Sequence, residues 1–160
     1  MLANDDGWTP INAAAYNGSL EIVKFLAEQG GDINAAKNNG CTPVITAAYF
    51  GHLAVVKFLA EQSADIKTAN NEGWTPVHTA ACNGRVEVVK LLAEQGADIK
   101  TANNNGWTLV NAAACNGHLE VIKFLAEQGA EIKTADNSGD TPIDSAACNG
   151  HFELVNFLGE

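Results

Sequence analysis

The chain has 160 residues, 46% of them apolar, which is the length of one domain with ample material for a core. Nine basic against nineteen acidic residues give a net charge of -10, which opposes binding to nucleic-acid phosphates or anionic membranes and favours basic or apolar partners. No apolar run approaches the ~18 residues of a membrane span, and no basic-then-apolar leader opens the chain.

The segment Gly73-Trp74-Thr75-Pro76-Val77-His78-Thr79-Ala80-Ala81-Cys82-Asn83-Gly84 returns 33 positions later as Gly106-Trp107-Thr108-Leu109-Val110-Asn111-Ala112-Ala113-Ala114-Cys115-Asn116-Gly117. The same frame starts at Gly7, Gly40 and Gly139. A fixed period of this size marks a stacked-repeat architecture. The chain divides into units 4–36, 37–69, 70–102, 103–135 and 136–160, within one domain spanning 1–160; the last unit stops after 25 residues. Units three and four share 24 of 33 residues, the closeness of recent tandem duplication or of a consensus-derived scaffold.

Each unit parses in the same way. Thr9, Thr42, Thr75, Thr108 and Thr141 are good N-caps, followed by Pro except at Leu109, so a helix of about eight residues starts here. It runs through small residues such as Ala13-Ala14-Ala15 to a terminating Gly18, Gly51, Gly84, Gly117 or Gly150. A second helix follows, for example Leu119 to Glu127, with an apolar stripe of helical period, ending at Gly30, Gly96 or Gly129; Ser63 departs from this. The Asn/Gly-rich remainder, such as Ala97 to Gly106, suits a hairpin-like finger. Two such short helices cannot shelter their apolar faces alone, but stacked copies can. The expected core is Ile11, Ala14, Leu20, Val23, Leu26 and their equivalents, with Ile33, Ile66, Ile99 and Ile132 pinning the loops. Lys24, Lys57, Lys90 and Lys123, each with a Glu four residues on, read as the solvated outer face. Terminal repeats of an array normally carry polar replacements. Neither the first copy nor the last shows them on its apolar pattern, as Phe152, Leu154, Val155, Phe157 and Leu158 illustrate, which suits an excerpt of a longer array or ends covered by a partner or another copy.

The frame G-x-T-P-[IV]-x-x-A-A-x-x-G-[HSR] resembles the ankyrin repeat over residues 4–160. The resemblance implies an all-α repeat solenoid, a stack of helix–turn–helix units with projecting β-hairpin fingers and a concave groove of inner helices and finger tips. The family's Thr-Pro-Leu-His survives as Thr-Pro-Val-His only at 75–78, with Asn12, Ile45, Asn111 and Asp144 elsewhere. Ile45 cannot bond its Thr, so repeat two is expected to be locally weaker. The resemblance also implies where a partner binds: the finger tips, and the two residues before the first helix's closing Gly. In this chain those positions hold Trp8, Cys41, Glu72, Trp74, Asn105 and Trp107 on the fingers, and Tyr16, Asn17, Tyr49, Phe50, Cys82, Asn83, Cys115 and Asn116 on the helices. All three Trp and both Tyr of the chain fall in this set. Such rings bury large area with few rotatable bonds and anchor interfaces. They equally suit a packing role at the stem of each finger. The groove is aromatic in the N-terminal half and small and polar toward the C-terminus, which places any apolar anchor over repeats one to three.

The remaining chemistry-bearing residues read as structural. Cys82, Cys115 and Cys148 share one repeat position, and repeats ~10 Å apart exceed the ~7 Å reach of a disulfide, so free thiols and a reducing, intracellular compartment are expected. His52, His118 and His151 are too far apart to share a metal ion, and no cofactor is expected. His78 and Cys82 stand four apart on a helix, as in a thiolate–imidazole dyad, but in one repeat only and without an orienting carboxylate. Asp32-Ile33-Asn34-Ala35 resembles the motif that asparaginyl hydroxylases modify; a structural Asn is the alternative. The functional expectation is a non-catalytic module that binds a protein or peptide as a monomer. A self-assembling scaffold that stacks through its ends is the second reading.

Overall fold

The computed structural model describes residues 3–160, which form ten α-helices in five helix–turn–helix pairs. These are α1 (Pro10–Tyr16) with α2 (Leu20–Glu28), α3 (Pro43–Phe50) with α4 (Leu53–Glu61), and α5 (Pro76–Cys82) with α6 (Val86–Glu94). The stack continues with α7 (Leu109–Cys115) and α8 (Leu119–Glu127), then α9 (Pro142–Cys148) and α10 (Phe152–Gly159). The hydroxyl oxygens of Thr9, Thr42, Thr75 and Thr108 each accept the backbone N–H three residues on, the interaction expected of an N-cap. Odd-numbered helices pack on one another in sequence and even-numbered ones form the outer layer.

Close approach of the inner helices depends on methyl-sized side chains. Ala15, Ala48, Ala81 and Ala114 are fully buried between neighbours, beside Ile11, Val44, Val77 and Val110. Leu59, Leu92 and Leu125 fill the space toward the outer layer. Full burial of such a side chain contributes about 1.5–3 kcal/mol, and in each case the burying surface comes partly from an adjacent repeat. Two core expectations need correction. Leu20, Val86 and Leu119 are half-buried and their equivalents Leu53 and Phe152 exposed, and of the four loop isoleucines only Ile66 is buried; Ile33, Ile99 and Ile132 remain partly exposed.

The fingers fold as turns and not as β-hairpins. A lone bridge between Ala102 and Thr108 is the extent of strand pairing among the described residues. Two backbone bonds close each loop, as from Asn70 N–H to the Trp74 carbonyl at 2.9 Å and from Gly73 N–H to the Asn70 carbonyl at 3.0 Å, and an Asx turn organises the tip. In repeat three, Asn70 Oδ1 accepts from the N–H of Glu72 at 3.0 Å and of Trp74 at 2.9 Å. Backbone groups that would extend a ladder are instead used between fingers: Asn71 N–H donates to the Asn39 carbonyl at 3.1 Å.

In repeats one, three and four a buried polar side chain ties the start of the inner helix to the following finger. Asn12 Nδ2 donates to the Ala35 carbonyl at 2.8 Å, Asn111 Nδ2 to Thr134 at 3.1 Å, and His78 Nε2 lies 3.1 Å from the Thr101 carbonyl. Repeat two has no such clamp, because Ile45 occupies the position. Its turn is held locally instead, with Asp65 Oδ1 accepting from the N–H of Lys67 and Thr68 at 2.9 and 3.1 Å. On the outer face the lysines pair with the glutamate three residues before them, not four after. Lys24–Glu21, Lys90–Glu87 and Lys123–Glu120 are 3.4, 3.0 and 2.8 Å apart. Lys57 has Ala54 at that spacing and makes no such pair among the described residues. Exposed pairs of this kind contribute little.

Two predictions follow from these contacts. Burial holds the His78 imidazole below its usual range, against the opposing pull of the Thr101 carbonyl and of Asp98. An unfolded histidine titrates near 6.5 and takes up its proton before the folded one does, so stability is full above that value and falls as the pH drops through it. Burial shifts His118 in the same direction. His78→Asn, the residue at positions 12 and 111, keeps a clamp without titrating. Urea midpoints measured from pH 7 to 5 therefore fall less steeply in that variant, with the remaining slope owed largely to His118. The second concerns Ser63, which adopts φ 63° where Gly30, Gly96 and Gly129 sit at 80°, 85° and 76°. A left-handed non-glycine costs roughly 1–2 kcal/mol, part of which is offset by the entropy a glycine adds to the unfolded chain. Ser63→Gly raises the urea midpoint with an unchanged m-value.

Candidate partner-binding groove

A hollow of about 490 Å³ opens across the inner face of repeats one to three. Ile45 and Thr46 of α3 and Thr79 of α5 lie at its inner-helix side, and the first three fingers contribute Trp8, Cys41 and Trp74. The rings of the first two repeats meet edge to face in a chain: Trp8 to Tyr16 at 5.5 Å, Tyr16 to Phe50 at 4.6 Å, and Phe50 to Tyr49 at 4.8 Å. Each ring thus braces the next, while Tyr16 and Tyr49 remain 46% and 48% exposed, a large apolar area left in water. Trp74 is held edge-on by His78 at 6.3 Å and Trp107 at 6.2 Å.

Repeat two is where the wall is interrupted. Its finger carries Cys41 where repeats one, three and four carry Trp8, Trp74 and Trp107, and the missing indole leaves room. Its helix carries Ile45 in place of the polar clamp, an apolar side chain at the hollow. Its first residue is Lys37 in place of Asn or Asp, with Nζ 4.1 Å from the Trp8 ring centre, a cation–π contact. Thr46 Oγ1 is buried without a hydrogen-bond partner, whereas the equivalent Thr79 Oγ1 donates to the Thr75 carbonyl at 3.0 Å. All four residues line the same space.

Of the residues expected to meet a partner, Trp8, Tyr16, Cys41, Tyr49, Phe50, Glu72, Trp74, Cys82 and Asn83 surround this hollow. Asn17, Asn105, Trp107, Cys115 and Asn116 are not part of it. Asn17 Nδ2 bonds back to the Ala13 carbonyl at 2.9 Å, and Asn116 Nδ2 to the Ala112 carbonyl at 3.2 Å and Cys82 Sγ at 3.4 Å. Cys115 Sγ lies 3.7 Å from Asn149 Nδ2. Asn105 lends its carbonyl to Asn137 of the next finger at 3.1 Å. Trp107 is a packing residue in part, since its indole N–H donates to Asp136 Oδ2 at 2.9 Å. Lys37, Ile45, Thr46, Asn70 and Thr79 were not expected at the site. The departures of repeat two from the common frame are the signal that points to the first two.

The other chemistry-bearing groups are spoken for. His78 Nδ1 lies 2.7 Å from Thr75 Oγ1, so both ring nitrogens are engaged and neither is turned to Cys82. Burial pushes the Cys82 thiol up, the opposite of what a nucleophilic thiolate requires. His52 and His151 Nε2 sit 2.9 and 3.0 Å from the carbonyls of Tyr16 and Cys115. No group of three or more His, Cys, Asp or Glu gathers as a metal site among the described residues. Asn34 Oδ1 accepts the Asp65 N–H at 2.9 Å, which gives it a structural role between fingers.

The indole groups are chemically alike but differently held. Trp107→Phe removes the bond to Asp136 and lowers the melting temperature. Trp74→Phe, whose indole N–H has no such partner among the described residues, leaves it unchanged by the same calorimetric measurement.

Among the described residues, no helix is long and apolar enough to cross a membrane. A family model described as ankyrin repeats (3 copies) matches residues 1–70, 29–103 and 95–160, while no curated protein matches the chain. With that match running from end to end over a stack of paired helices, the chain belongs to the ankyrin repeat family, whose members are general protein–protein interaction modules.

Proposed function

We propose that residues 1–160 act as one non-catalytic binding domain that captures an extended peptide or exposed loop, seating one large apolar side chain in the hollow of repeats one to three. The observation that carries this reading is convergence: Lys37, Cys41 and Ile45, each a departure of repeat two from the common frame, line one space. Tyr16, Tyr49, Phe50 and Trp74 supply rigid apolar area around it, and one well-seated side chain is worth ~2 kcal/mol or more. Thr46 offers a hydroxyl whose hydrogen bond is still unmade. Glu72 at the hollow and the net charge of -10 favour a basic residue flanking the anchor. Asn105, Trp107, Cys115 and Asn116 extend the contact surface toward the C-terminus, with Asn17 at its N-terminal edge. Four free thiols suit a reducing, intracellular compartment.

Selection of peptides from a random library tests this directly. Recovered peptides are expected to share one large apolar residue beside a basic one. Cys41→Trp restores the indole of the other repeats and fills the space, so it retains the helical signal and melting temperature while binding falls about 30-fold, the equivalent of ~2 kcal/mol. Tyr49→Ala and Trp74→Ala weaken binding similarly. Selected peptides that bind Cys41→Trp as tightly as the unaltered chain would overturn the reading.

A further inference from the structure

The four junctions between repeats share two polar latches, each sent backward along the chain. In the fingers, Nδ2 of Asn38, Asn71, Asn104 and Asn137 donates to the carbonyls of Asp5, Asn38, Asn71 and Asn104 at 2.8, 3.0, 3.1 and 3.1 Å. At the helix turns, His52, Arg85 and His151 reach the carbonyls of Tyr16, Tyr49 and Cys115 at 2.9, 3.2 and 3.0 Å, and His118 likewise engages the Cys82 carbonyl. Each donor packs so closely over a glycine of the preceding repeat that an added Cβ would collide with it, as at Gly40 with Asn71 and at Gly84 with His118.

The two ends of the stack treat these latches differently. Repeat five presents the accepting side intact: the carbonyls of Asn137 and Cys148 hold the receiving positions, and Gly139 and Gly150 have nothing within 4 Å of where a Cβ would stand. Its apolar plate is also open. Ala147 is exposed where Ala114 is fully buried, and Ile143 and Val155 are half-buried where Val110 and Ile122 are at most 1% exposed. Repeat one presents the matching apolar plate, with Ile22 53% exposed where Val55 is 1% exposed, and Phe25 57% exposed. Both of its latches, however, are replaced. Asp5 stands where the other repeats have Asn, and Ser19 where they have His or Arg. A carboxylate cannot donate to a carbonyl and repels it, and a serine is too short to span the helix turn. The first copy therefore does carry polar replacements, at the two positions that a stacking interface requires.

We propose that Asp5 and Ser19 form an end stop that keeps the first repeat of one copy from docking on the last repeat of another, and that repeat five is a seat for a repeat bearing the Asn and His or Arg donors. Head-to-tail docking of this kind is heterologous and does not close, so without a stop it would propagate into filaments. The seat continues an interface already built four times within the chain, which defines its occupant: a helix–turn–helix repeat with both donors, and not the chain's own N-terminus.

Asp5→Asn combined with Ser19→His supplies both donors, and sedimentation velocity over a concentration series reads the result. The unaltered chain is expected to stay monomeric, including at about 1 M salt, where the screening length is ~3 Å and the net negative charge no longer separates copies. The double variant is expected to grow with concentration into open-ended assemblies, and the unaltered chain, added in equal amount, to shorten them by ending each stack. Ala147→Arg, placed on the exposed plate of repeat five, returns the double variant to a monomer. Ser19→Arg, the residue at position 85, replaces Ser19→His should that variant lose its helical signal. Assembly of the unaltered chain at high salt, a folded double variant that stays monomeric, or assemblies that survive Ala147→Arg would each overturn the proposal.

Discussion

Everything in this molecule depends on one junction, repeated four times, between a repeat and the one before it. An apolar plate of Ala, Val and Leu closes on its neighbour, and two side-chain donors find backbone carbonyls across the gap. The plate supplies most of the energy because it removes large apolar areas from water. The donors fix the register, since a slip along the stack would break both bonds at every junction. Neither half of a junction exists within one repeat, so stability is shared between neighbours and a weakness in one unit is felt by those beside it.

Repeat two shows how such a structure accommodates departures from its own frame. Its inner helix has no polar clamp to the following finger, its finger tip lacks the usual indole, and Ser63 holds a left-handed backbone without being glycine. Each departure weakens the unit locally. Flanked on both sides by repeats with intact clamps at Asn12 and His78, it is held in place by its neighbours. A stack can therefore carry its least consistent unit in the interior, where two junctions support it. Sites of conflict between local rule and observed residue are where function is most often found, and here they open a hollow rather than a flaw in the core.

The fold was largely legible in the sequence because duplication states the same rule several times. Thr before Pro, the alanine run and the closing glycine define helix boundaries to within a residue or two, and the helices formed where the caps required. Interactions between repeats were harder to see. Trp8, Trp74 and Trp107 occupy one position in the repeat, yet their surroundings are set by the first residue of the following unit. That residue is Lys37 over Trp8, and Asp136 bonded to Trp107. Reading each unit by itself treats the three indoles as equivalent. What Asp5 and Ser19 lack is hidden for a related reason, because it becomes visible only beside the backward-reaching donors of the later repeats. The Asn and Gly content of the fingers points to hairpins. That composition supports a turn just as well, and the backbone groups of the tips are used by the adjacent finger.

Duplication also explains how a chain of near-identical units can have one distinctive face. The outer helices are held to a common pattern: Glu28, Glu61, Glu94 and Glu127 each sit at the last position of their helix, where the macrodipole is already negative. Such placement costs a little at each of these four helix ends and leaves a charged, solvated convex edge. On the concave side the sequence changes from unit to unit, and the single lysine of the hollow, Lys37, lies against an indole rather than in open water. A uniform charged exterior and a varied aromatic interior impose different demands on the same repeat. The exterior requires only that copies be alike, while the proposed recognition requires that they differ, and repeat two departs from the common frame at Lys37, Cys41 and Ile45.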